Sequence, residues 1–120
     1  HTRLQGDWSS DVCSSDLENL DAICATPGLD AVYIGPADLS YALGLPPKPD
    51  NTEPIHLETC NKILESAHKH GIKAVMHCAS ADFAAGAVER GFDMVMLTSD
   101  LHSMIAGARA QLDTFKAKTS

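Results

Sequence analysis

The chain has 120 residues with 9 Lys+Arg against 16 Asp+Glu, a formal net charge of −7, which suits one small domain or a piece of a larger one. An acidic chain without a Lys/Arg cluster has no electrostatic basis for binding nucleic acid or an anionic membrane. No apolar run approaches the roughly 20 residues needed to span a bilayer.

In chain order, residues 7–17 come first. They read DWSSDVCSSDL, which reverse-translates to one frame of a common short-read sequencing adapter. Residues 1–17 are therefore expected to be an artefact and are set aside from fold reasoning. Residues 18–120 carry 8 Lys+Arg against 13 Asp+Glu, a net charge of −5. Their cysteines, Cys24, Cys60 and Cys78, are widely spaced with no CxxC pair. Reduced thiols of a cytoplasmic protein fit this spacing better than a disulfide framework or a zinc site.

Leu20, Ile23 and Cys24 share one face of a short helix that Pro27-Gly28 terminates. Residues 30–34, DAVYI, form a β-rich run stopped by Gly35-Pro36, and a long loop is expected from Ala37 to Asp50, held extended by Pro46, Pro47 and Pro49. Thr52 is the expected N-cap of a helix reaching His70, with Ile55, Cys60, Ile63, Leu64 and Ala67 inward and Gly71 closing it. Residues 73–78 read as a second strand. Ser80 then caps a helix with a stripe of Phe83, Ala84, Ala87 and Val88, ended by Gly91. Residues 92–97 form a third strand, and Ser99 caps a last helix carrying Leu101, Ile105, Ala108, Leu112 and Phe115. Alternating helices and continuously apolar strands predict an α/β fold with a parallel sheet. Three strands cannot close a barrel, so the region reads as the end of a larger α/β protein.

In α/β barrels and doubly wound sheets alike, binding groups sit at the carboxyl ends of strands. Those ends are GPADLS at 35–40, HCAS at 77–80 and TSD at 98–100. Gly35 allows close backbone approach, Pro36 fixes the turn, and Asp38 offers a carboxylate suited to a hard divalent cation. Gly35, Pro36 and Ala37 are candidate pocket-forming residues. His68 and His70 are two apart on a helix, which does not bring them together, so they read as structural near a helix C-terminus. Ser99 and Asp100 read as caps.

The stretch 30–44, DAVYIGPADLSYALG, closely resembles the HpcH/HpaI family of metal-dependent pyruvate aldolases, with the HGIKAV and LTSD segments at the expected strand positions. The resemblance implies a (β/α)8 barrel of which residues 18–120 supply strands six to eight. It implies retro-aldol cleavage of 2-keto-3-deoxy or 4-hydroxy-2-keto acids to pyruvate and an aldehyde, with a divalent ion (Mg2+, Mn2+ or Co2+) held by two carboxylates. Asp38 matches the second of these. The first, a Glu, belongs 26 positions earlier, where this sequence has Val12. The family's histidine and arginine come from earlier strands, so this chain alone is expected to be inactive. His77 stands where the family has an apolar pocket residue; it either contacts the aldehyde end of the substrate or is a satisfied structural histidine. The family's usual homo-oligomers are expected of the parent. Two other readings remain: a citryl- or malyl-CoA lyase, which would need basic CoA-binding residues, and a non-catalytic pyruvate-binding module.

Overall fold

The computed structural model describes residues 17–120, so the adapter-like string lies outside the described residues except for Leu17. Eight elements follow in order: α1 (Leu20–Cys24), β1 (Ala31–Ile34), α2 (Pro36–Ala42), α3 (Pro54–Lys69), β2 (Lys73–His77), α4 (Ala81–Arg90), β3 (Met94–Met96) and α5 (Asp100–Thr119). The strands form one parallel sheet in the order β1-β2-β3. Tyr33 pairs with Val75 in the first ladder and His77 with Met96 in the second. The α/β parallel architecture expected from the sequence is present.

Side chains alternate across a strand, so each strand presents two different faces. Val32, Ile34, Ala74, Met76 and Val95 pack with Cys60, Ile63, Leu64 and Ala67 of α3 and with Ala84 and Ala87 of α4. The opposite face carries Tyr33 and Met94, which are 57% and 60% exposed, beside half-buried His77 and Met96, with Val75, paired between Tyr33 and Met94, buried. The helices thus cover one face of the sheet and leave the other open among the described residues.

The helix ends follow local chemistry. The Ser80 hydroxyl accepts from the Phe83 N–H, and Ser99 accepts from the His102 N–H. Gly91, at φ +107°, turns the chain out of α4 in the left-handed conformation that glycine adopts most cheaply. Three expectations need correction. The loop predicted from Ala37 begins instead as α2, because Pro36 at its first position is pre-set for helix and Leu39 is buried beneath it. Ile55 and Val88 lie about half exposed rather than inward, each one residue around the helix from the buried rows His56–Cys60–Ile63–Ala67 and Ala84–Ala87. Thr52 does not cap α3; the Asn51 side chain accepts the Glu53 N–H instead.

Two carboxylates tie the elements together. Asp93, just before β3, accepts from the Ala74 N–H (2.9 Å), His68 Nε2 (2.8 Å) and Lys73 Nζ (3.2 Å). Asp21 of α1 accepts from Ser66 (2.8 Å), Lys69 (2.9 Å) and His70 (3.3 Å) of α3 and its C-cap. His68 and His70 therefore serve separate carboxylates, as the structural reading requires. α5 buries no residue, and Leu101, Met104, Leu112 and Phe115 along it are at least half exposed.

Substituting Met76, which is fully buried, with Ala is expected to cost about 2–5 kcal/mol in chemical denaturation. Met94→Ala on the open face should change stability by no more than about 0.5 kcal/mol; equal losses would contradict the one-sided core. The backbone and side-chain donors around Asp93 hold its carboxyl below the usual range, and Lys69, Ser66 and His70 bring Asp21 down to about 2. A carboxyl with a depressed folded pKa stabilises above its unfolded value, about 3.9, and loses that contribution as pH falls toward its folded value. Circular dichroism during acid titration should therefore show a flatter pH dependence between about pH 4 and pH 2 for Asp93→Asn than for the parent chain.

Candidate functional site

The parallel strands put every carboxyl end on one rim of the sheet. At the end of β1, Gly35 occupies the N-cap of α2, Pro36 is buried at the first position, Ala37 is half-buried, and Asp38 stands exposed in the first turn. The Asp38 carboxylate folds back over Gly35, so that a Cβ placed on Gly35 would sit 2.7 Å from Oδ2. The missing side chain at Gly35 is thus the space that the carboxylate fills.

His77 ends β2 on the open face, half-buried. The Tyr33 hydroxyl hydrogen-bonds its Nδ1, and the two rings meet edge-on with centroids 5.9 Å apart. Burial raises the Tyr33 pKa, with Cys78 adding to the effect, so the phenol keeps its proton at neutral pH. If that proton is donated to Nδ1, the imidazole proton resides on Nε2. Tyr33 was missed in the sequence reading; its signal is the two-residue spacing from Gly35, which places it on the face that leads to the rim.

Asp50 was missed as well. It adopts φ +46°, a left-handed conformation that Asp tolerates better than most residues, and clamps the Ala79 N–H (2.8 Å) and Ser80 hydroxyl (2.7 Å). The proline-rich segment after α2 is thereby pinned to the turn that follows β2. Ser99 and Asp100 cap α5, as the Ser99 contacts and the Leu101 N–H to Asp100 bond (2.7 Å) show.

No cluster of three or more His, Cys, Asp or Glu positioned for a metal occurs among the described residues. Asp38 nevertheless fits as one ligand of a shared hard-cation site: its donor is an exposed carboxylate, and Gly35 leaves the cradle it needs. Cys24, Cys60 and Cys78 are buried free thiols, and burial raises the pKa of Cys60 to about 11.

Because the Gly35 Cβ would meet only the far end of a flexible side chain, Gly35→Ala is expected to keep the fold and displace the Asp38 carboxylate. In the full-length parent, which supplies the partner carboxylate, electron paramagnetic resonance of free Mn2+ should report weaker binding by about tenfold, about 1.4 kcal/mol, with an unchanged thermal melt. Unaltered Mn2+ binding would show that the cradle is unimportant.

The HpcH/HpaI aldolase/citrate lyase family model matches residues 14–107. A hydroxypyruvate/pyruvate aldolase of Rhizorhabdus wittichii is 37% identical over 93 residues, covering 78% of this chain and 37% of that protein. A 5-keto-4-deoxy-D-glucarate aldolase of Salmonella arizonae is 35% identical over 101 residues, covering 83% and 38%. The crystal structure of an HpcH/HpaI aldolase from Desulfitobacterium hafniense superposes with a TM-score of 0.76 at 30% identity, covering 87% of this chain and 40% of that one. The chain therefore spans less than two fifths of the length of these curated relatives. From the rim geometry and this agreement together, the chain belongs to the HpcH/HpaI aldolase/citrate lyase family.

Proposed function

We propose that residues 18–120 are the last three βα units, strands six to eight, of a (β/α)8 barrel, and that residues 1–17 are foreign to it. The sequential strand order with helices on one face supports this reading, because doubly wound sheets carry helices on both faces whereas a barrel turns one face inward. The open face with Tyr33, His77, Met94 and Met96 would then line the barrel interior.

The parent is a lyase that cleaves 2-keto-3-deoxy or 4-hydroxy-2-keto acids to pyruvate and an aldehyde. The observation that carries this is Asp38, a carboxylate cradled by Gly35 at the end of a barrel-type strand. The names of the aldolase relatives support the substrate class. Asp38 would be one ligand of a divalent metal, which when bound would act as a Lewis acid toward the keto oxygen. Gly35, Pro36 and Ala37 would shape the pyruvate pocket, and His77 would meet the aldehyde end of the substrate. Carbon–carbon cleavage also requires a base to take the hydroxyl proton; that base, the partner Glu and the arginine would come from upstream units, leaving this chain alone inactive. The exposed apolar side of α5 suits a homo-oligomeric parent, and the three unpaired thiols among the described residues suit a reducing cytoplasm. The family's citrate lyase branch keeps a CoA-thioester lyase as the second reading.

Resequencing the locus across codons 6–18 should reveal an in-frame upstream region with Glu 26 positions before Asp38. The protein it encodes should release pyruvate from 2-keto-3-deoxy acids, lose activity to a chelator and regain it with Mn2+. Asp38→Ala should lower kcat/KM at least 100-fold, about 2.7 kcal/mol of transition-state stabilisation. Chelator-resistant turnover would contradict the metal reading, and turnover of CoA thioesters alone would favour the second.

A further inference from the structure

Beneath the GPADLS turn lies a continuous buried polar chain. Ser40 and His56 are fully buried, as are Cys60 and, at 1% exposure, Asn51. The Ser40 hydroxyl donates to the Pro36 carbonyl at 2.6 Å, and His56 Nε2 donates to the same oxygen at 3.0 Å. Asn51 Nδ2 donates to Ser40 Oγ at 2.8 Å, while Asn51 Oδ1 accepts the Glu53 N–H at 2.9 Å. On the other side the Cys60 thiol lies 3.6 Å from His56 Nδ1, the remaining acceptor of a neutral ring.

Every member has a partner, and two of the bonds, Asn51 to Ser40 and His56 to the Pro36 carbonyl, tie α3 and its approach to α2. Buried polar groups are tolerated when fully paired, and a complete network specifies one arrangement more sharply than apolar packing does. α2 has seven residues, and its N-cap Gly35 makes no side-chain capping bond. A helix that short is marginal without tertiary support. Asp38 itself accepts no hydrogen bond among the described residues, so its carboxylate is aimed by the backbone of that turn.

We propose that His56 and Ser40 are positioning residues for Asp38, fixing the Pro36 carbonyl and through it the direction in which the carboxylate meets a divalent cation. This rests on Asp38 being a metal ligand. His56 acts as a neutral Nε2–H donor, a state that its burial favours. A glutamine amide reaches close to where Nε2 lies and can donate the same bond; leucine cannot.

The test compares the full-length parent, in which the partner Glu is present, with its Ser40→Ala, His56→Leu, His56→Gln and Asp38→Asn variants by two measurements. One is Mn2+ affinity from electron paramagnetic resonance; the other is peptide-resolved hydrogen exchange over residues 35–45. Asp38→Asn should abolish Mn2+ binding without changing exchange. Ser40→Ala and His56→Leu should weaken Mn2+ at least fivefold and raise exchange only in the 35–45 peptide, and His56→Gln should restore both toward the parent values. Should His56→Leu prove unfolded across all peptides, Ser40→Ala and His56→Gln carry the comparison. Undiminished Mn2+ binding in Asp38→Asn overturns the ligand reading itself. Loss in Asp38→Asn with parent-like binding in Ser40→Ala overturns the positioning role alone, as does a His56→Gln variant that weakens Mn2+ fivefold.

Discussion

The two-residue alternation of side chains along three parallel strands is the constraint on which the rest of this molecule depends. It sends Val32, Ile34, Ala74, Met76 and Val95 toward α3 and α4, and Tyr33, His77, Met94 and Met96 to the opposite face. A slip of one residue in β2 would exchange Met76 for His77 in the core, placing an imidazole without partners against Cys60 and Ala84. Register, core composition and the location of chemistry are therefore a single choice, made by where the apolar residues fall.

Much of this was legible in the sequence because the determinants are local. Residues 31–34 and 74–76 are apolar runs, the first stopped by Gly35-Pro36 and the second preceded by Gly71, and Ser80 and Ser99 stand just before helical stripes, so strands and caps follow from near neighbours. Asp38 was legible because a glycine and a proline punctuate the strand end ahead of it. What escaped was decided at a distance. Pro36 could either extend a loop or start a helix, and Leu39 entering the core settled it as α2. His56 reads as an ordinary polar helix position until the Pro36 carbonyl, twenty residues earlier, is brought to its ring. Asp50 and Tyr33 act through partners 29 and 44 residues away. No period in the sequence encodes such pairings.

The interior also mixes two kinds of cohesion. The contact between the sheet and its helices is apolar and tolerant of small rearrangements, as cores of the right volume are. The support of α2 is polar and directional, running through Asn51, Ser40, His56 and Cys60, with the Pro36 carbonyl accepting from both Ser40 and His56. The first suits a scaffold, whereas the second suits a segment whose angular precision matters more than its stability. The directional bonding is concentrated beneath the turn that carries Asp38.

The Asp93 clamp, with His68, Lys73 and the Ala74 amide, sits at the amino ends of β2 and β3, whereas Asp38 and His77 stand at the carboxyl ends. The length of a strand separates what holds the ladder together from what meets a ligand. An ancestral or engineered lineage could accumulate charge changes at the amino-end rim, adapting to acidity or temperature, while the opposite rim drifted independently toward new ligands. The two kinds of variation would be nearly additive, since residues so far apart share no partners.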